Sequence, residues 1–147
     1  SAECLAKPKN TIFMWRFLKD LRVKIEAKAL DFPEQVNTEG YEAIKTFQQF
    51  DDRYTAPIHG FKDAQDYWTK SSCKPLLNDI KIPALLVNAK NDPFLPIECF
   101  PYEQARASSW LTLEVPESGG HVGFIQLNRK HEYWMEQRAI QFIQNNL

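Results

Sequence analysis

Between Thr11 and Leu30 the apolar residues Met14, Phe17, Leu18, Leu21 and Ile25 recur at the three- and four-residue spacing that puts side chains on one face of an α-helix. The pattern predicts one or two helices there. They end at Asp31-Phe32-Pro33, because proline disfavours the helical region for the residue before it. A second helix is expected from Thr38 through Phe50, with Tyr41, Ile44 and Phe47 on one face, and a third from Asp63 to Ser71. Up to this point the chain has no strand pattern, only helices joined by polar and proline-containing loops.

At Lys81 the pattern changes. Ile82-Pro83-Ala84-Leu85-Leu86-Val87-Asn88 is a short, continuous apolar run bounded by turn formers, the pattern of a parallel-sheet strand covered on both faces. Pro83 is compatible only with its first residue. A short helix near Tyr102 to Ala107 leads to a second strand, Leu111-Thr112-Leu113-Glu114-Val115. A final helix is expected from about Lys130 to Asn145, with Trp134, Ala139, Phe142 and Ile143 facing inward. The order strand, helix, strand, helix after an all-helical section predicts an α/β fold.

Composition narrows the possibilities. The 147 residues are 44% apolar and 25% charged, with net charge −1, a globular composition. It lacks the basic excess with which proteins neutralise nucleic-acid phosphates, so no nucleic-acid partner is expected. The longest apolar runs, Thr11 to Phe17 and Pro83 to Val87, fall far short of the roughly 20 residues that cross a bilayer. Charge is uneven: residues 1 to 30 hold seven Lys or Arg against three Asp or Glu, leaving −5 for the remainder. This basic stretch, with Phe13, Trp15 and Phe17, suits an ordinary helix with a charged outer face, a membrane-surface contact or a lipid-like substrate. The three cysteines, Cys4, Cys73 and Cys99, contain no C-x-x-C pair and are expected to be free thiols in a cytoplasmic setting.

Consecutive parallel strands joined by a right-handed crossover end on the same edge of the sheet, where ligand sites favour the following loops. After the first strand comes Ala89-Lys90-Asn91-Asp92-Pro93-Phe94, and after the second Ser118-Gly119-Gly120-His121-Val122-Gly123-Phe124. Strands lie about 4.8 Å apart, so Asp92 and His121 are expected within reach of each other. Three of the five glycines crowd around His121, which predicts an unusual backbone path. An aspartate that orients a histidine is two thirds of a Ser-His-Asp hydrolase site. The third member is missing from the pattern: none of Ser1, Ser71, Ser72, Ser108, Ser109 and Ser118 stands in a G-x-S-x-G elbow. His131-Glu132-Tyr133-Trp134-Met135 lacks the second histidine of a zinc motif, and His59 has no ligand-spaced neighbour. Neither a metal nor a nucleotide cofactor is expected.

At these residues the chain resembles the C-terminal part of an α/β-hydrolase, and within that superfamily the YheT-like branch. Phe50-Asp51-Asp52, Thr55-Ala56-Pro57, Gly60-Phe61, Tyr67, Ser72 and Lys74-Pro75-Leu76-Leu77 are similar to the branch's segment between cap and core. Asn91-Asp92-Pro93-Phe94 and Gly119-Gly120-His121-Val122-Gly123-Phe124 are similar to its acid and base motifs. The resemblance implies a helical cap and connection over residues 1–80 and the last βαβα part of the core over residues 81–147. It implies a serine hydrolase of carboxylic esters, with Asp92 as triad acid and His121 as general base. In such a protein the nucleophile elbow and oxyanion-hole loop would precede Ser1, so this chain reads as a C-terminal fragment, inactive alone. Its expected partners are an ester or lipid-like substrate, the missing N-terminal half, and further copies through the open strand edge at Ala84 to Asn88. The competing reading is a non-catalytic binding or assembly module on the same scaffold, which fold alone does not exclude.

Overall fold

A computed structural model of the chain describes residues 2–125 and 132–146. They divide into two units, the first ending at Ser72 and the second beginning at Cys73. The first unit is helical. A short helix α1 (Ala2–Leu5) and a 3-10 turn (Pro8–Asn10) lead into α2 (Thr11–Asp31). Met14, Leu18 and Ile25 of α2 are buried on one side, while Ile12, Val23 and Leu30 on the opposite side are mostly exposed. Its stretch is one unbroken helix, and Pro33 follows soon after its end at Asp31.

The helix expected from Thr38 starts only at Phe47. Gly40 takes a left-handed conformation, φ +69, and Ile44 is extended, so Tyr41–Ala43 forms one isolated 3-10 turn. Thr46 then caps α3 (Phe47–Phe50), its hydroxyl accepting from the Gln49 amide at 3.2 Å. A π-helical turn (Asp51–Thr55) carries α3 directly into α4 (Ala56–Ile58). Its Asp51 is buried and accepts from the Thr55 hydroxyl at 2.6 Å and from Trp68 Nε1 at 2.8 Å. Trp68 belongs to α5 (Ala64–Lys70), which Asp63 caps through the Asp66 amide, while Asp52 accepts from the Ala64 amide. The tyrosine rings of Tyr41 and Tyr54 stack beside Phe50 in the core. Their hydroxyls donate to the carbonyls of Leu18 and Asn37, each at 2.8 Å. A cavity of about 420 Å³ opens in this unit, with Leu5, Met14, Leu18 and Ile44 among its lining residues and Lys19 and Arg22 also on its wall.

The second unit begins with a 3-10 segment (Lys74–Asp79) and holds two parallel strands, β1 (Ala84–Val87) and β2 (Leu111–Glu114). Between them lie a 3-10 turn (Ile97–Cys99) and α6 (Tyr102–Ala107), which packs on β2. Pro83 lies immediately before the strand, whose first residue is Ala84. Every residue of β1 is half-buried, not covered on both faces as expected, since among the described residues the sheet has only these two strands. The last helix, α7 (Trp134–Gln144), starts later than the expected Lys130, which lies outside the described residues. Its Arg138 Nε donates to Glu114 at 2.7 Å and draws Trp134, Arg138 and Phe142 onto one half-buried face. Ile143, one position further round, is 54% exposed instead of inward. Cys4 is buried, Cys73 exposed and Cys99 half-buried, and no disulfide joins the three. No helix among the described residues is long and apolar enough to cross a membrane.

Two predictions follow from the polar groups of the helical core. Asp51→Ala strands the Trp68 indole N–H and the Thr55 hydroxyl, and is expected to cost about 2 kcal/mol in chemical unfolding. A loss under about 0.5 kcal/mol would show that the paired acceptor is dispensable. Burial raises the Tyr41 and Tyr54 phenols above their ordinary range. Their folded pKa values thus exceed the unfolded value of about 10, so this contribution is complete below pH ~10 and is lost as pH rises through the folded values. The urea midpoint should therefore fall above that pH, and less steeply in Tyr41→Phe/Tyr54→Phe. Equal slopes for the two proteins would refute the assignment.

Candidate active site

The parallel register pairs Ala84 with Leu111 and Val87 with Glu114. Backbone pairing continues past both strands: the Asn88 amide donates to the Glu114 carbonyl at 3.1 Å and the Lys90 amide to the Pro116 carbonyl at 2.9 Å. The two strand-end loops therefore leave the sheet side by side. This continuation positions the site.

Asp92 follows a tight turn in which its amide donates to the Ala89 carbonyl at 3.2 Å. Its side chain is only 1% exposed. Oδ1 accepts from the Phe94 amide at 2.8 Å, an Asx turn that Pro93 favours by fixing its own φ. Oδ2 lies 2.8 Å from His121 Nδ1. A carboxylate facing Nδ1 holds the ring proton there and leaves Nε2, on the far side of the ring, as the acceptor. The His121 side chain is 48% exposed, and the Phe94 ring meets it edge-on with centroids 5.0 Å apart. The structure thus brings the two expected site residues into direct contact, the acid buried and the imidazole open.

The glycine loop explains how the imidazole reaches that position. At Gly119 an added Cβ would fall 2.3 Å from the Phe124 ring and 2.9 Å from Ala89, so there is no room for a side chain. Gly120 has φ +63, which residues with a Cβ adopt at a cost. Phe124 itself has φ +42 and is buried, its ring stacked on Trp134 at 5.5 Å, while its amide donates to the Gly119 carbonyl at 2.9 Å. A cavity of about 280 Å³ lies beside this loop, lined by Ser118, Gly119, Phe124 and Trp134 among others.

Two contacts at the site had no role in the sequence reading. Phe94 walls the imidazole, and Asn91 reaches across to the glycine loop, its Oδ1 accepting from the Gly119 amide at 3.0 Å and the Gly120 amide at 2.9 Å. Asn91 belongs to the acid motif, but nothing in the local sequence indicates that its side chain reaches the glycine loop. On the rim Lys90 is ion-paired with Glu117, whose hydrogen bond and charge hold the ammonium above its ordinary range. Among the described residues no group of three or more His, Cys, Asp or Glu is arranged to hold a metal. His59 lies exposed at the end of α4, and His131 lies outside the described residues. The hydroxyl of Ser108 accepts from the Trp110 and Leu111 amides, and Ser118 is an exposed residue of the glycine loop.

Comparison with known proteins agrees with this architecture. No protein-family profile matches the chain, and no solved structure does. Among curated proteins it is 36% identical over 104 residues to YheT of Escherichia coli, provisionally named an esterase, covering 70% of this chain and 30% of that protein. It is 29% identical over 145 residues to phospholipase ABHD3 of Homo sapiens, covering 97% of this chain and 36% of the relative. It is 28% identical over 100 residues to the monoacylglycerol lipase of Saccharomyces cerevisiae, covering 68% of this chain and 22% of that enzyme. The chain spans about a third of the length of the first relatives it matches. Strand-end acid, glycine-bound histidine and these similarities together make the chain a relative of the α/β-hydrolase superfamily, related to its YheT-like members over part of their length.

Proposed function

We propose that the chain supplies the acid and base of a Ser-His-Asp triad in a hydrolase of carboxylic esters, with the serine contributed from outside these residues. The observation that carries the proposal is the 2.8 Å contact between buried Asp92 and the Nδ1 of an imidazole whose side chain is half-exposed. In the proposed reaction the serine Oγ attacks the ester carbonyl carbon as its proton passes to His121 Nε2. Asp92 stabilises the resulting imidazolium and does not itself take the proton. The tetrahedral intermediate collapses, the C–O bond to the alcohol breaks, and Nε2 returns the proton to the departing oxygen. Water then repeats the sequence on the acyl-enzyme, releasing acid and free serine.

The substrate class rests on the relatives' names, which include an esterase, a phospholipase and a monoacylglycerol lipase. The part that bears the serine is proposed to add along β1, which has β2 on one side and no other described strand on the other.

The test uses a serine-reactive fluorophosphonate. The chain alone is expected to stay unlabelled, and labelling of any of its own serines would overturn the external nucleophile. Joined to a hydrolase half that bears a G-x-S-x-G elbow, it should label, and His121→Ala should slow labelling by about 10³-fold or more. Labelling equally fast in His121→Ala would reject the base. Without the serine-bearing part, the open edge is expected to pair copies of the chain, read as dimers or larger species by light scattering at about tens of micromolar. A clean monomer there would count against the edge as a docking surface.

A further inference from the structure

Resting on the dyad reading above, we propose that Asn91 is a positioning residue whose side-chain oxygen clamps the loop that carries His121 and so aligns the imidazole on Asp92. The loop needs such a device. Gly119 and Gly120 stand immediately before His121 and Gly123 follows, a run of backbone with unusual conformational freedom. Between Glu114 and Trp134 the described residues form no helix or strand that would hold it by its own hydrogen bonds. Its internal bond, from the Phe124 amide to the Gly119 carbonyl, shapes the loop but does not tether it to the acid.

Asn91 supplies that tether. The amides of two successive residues, Gly119 and Gly120, converge on its Oδ1 at 3.0 and 2.9 Å, in the manner of a backbone nest closing on an oxygen. The residue that anchors the loop is the one before the acid, and the residues anchored are the ones before the base. Asn91, Asp92, His121 and Gly120 therefore form a closed ring of covalent and hydrogen bonds. The other side-chain contact between the loops, Lys90 with Glu117, is a surface ion pair that engages no atom of Gly119 or Gly120. A side-chain amide also carries no charge, so the clamp adds none beside the imidazole.

The measurement is NMR on the chain itself, reading the His121 ring nitrogens, the Nδ1 proton bonded to Asp92, and hydrogen exchange at the Gly119 and Gly120 amides. In Asn91→Ala, exchange at both amides should quicken about fivefold. The Nδ1 proton signal should broaden away, and the ring nitrogen shifts should move toward a mixture of tautomers. Asn91→Asp keeps the oxygen acceptor and should restore the slow exchange of both amides, a rescue that loss of generic loop packing would not give. Amide spectra away from the loop, unchanged in both variants, report intact folding at this exposed position. An Ala variant whose ring proton stays as sharp as the parent's overturns the positioning role and leaves the dyad standing. A parent without an Asp92-bonded ring proton overturns the dyad and the positioning role together, so the two failures are told apart.

Discussion

Asp92 has two carboxylate oxygens, and each is committed to a different task. One accepts the Phe94 amide and fixes the turn; the other faces His121 Nδ1. A buried carboxylate is costly unless its lone pairs are met, and here the two partners are the turn that positions the acid and the ring that the acid orients. Local folding and candidate chemistry are therefore coupled through one side chain. Loss of either bond would leave a buried carboxylate oxygen without its partner.

Everything around this carboxylate serves to bring a second loop to it. Parallel pairing continues to Lys90 and Pro116, which delivers both loops to one edge of the sheet. Arg138 and Glu114 fasten α7 to the end of β2, and Trp134 on that helix receives the Phe124 ring. The paired strand ends and the contacts of α7 thus hold the elements from which the two loops leave, while the histidine side chain is half-exposed. The helical unit follows a similar economy. Asp51 and the two tyrosine hydroxyls each join segments that lie apart in the chain.

The strand ends and their two titratable residues were legible because their signals are strong and local. A continuous apolar run, a cluster of glycines and an acid followed by proline each have one main structural meaning. The start of α3 was less legible, since the spacing of Tyr41, Ile44 and Phe47 suits a helix that left-handed Gly40 and extended Ile44 interrupt. The π turn at Asp51–Thr55 leaves no periodic trace, because one inserted residue shifts a face without changing which residues are apolar. Asn91 and Phe94 fall inside the acid motif, but their contacts were not legible, because they are made with residues far along the chain that nothing next to them in sequence records.

The three loop glycines answer to different demands, and this bears on how the region can drift over evolutionary time. Gly119 is excluded from change by volume, because any side chain would occupy space already filled by Phe124 and Ala89. Gly120 faces open space and is constrained only by its torsion angle, a condition that asparagine tolerates better than most residues. At Gly123 a methyl group would meet nothing nearer than 3.6 Å, so alanine is accommodated there. Descendants of this sequence are accordingly free to lose the last of these glycines first, to exchange the middle one for a narrow set of residues, and to keep the first.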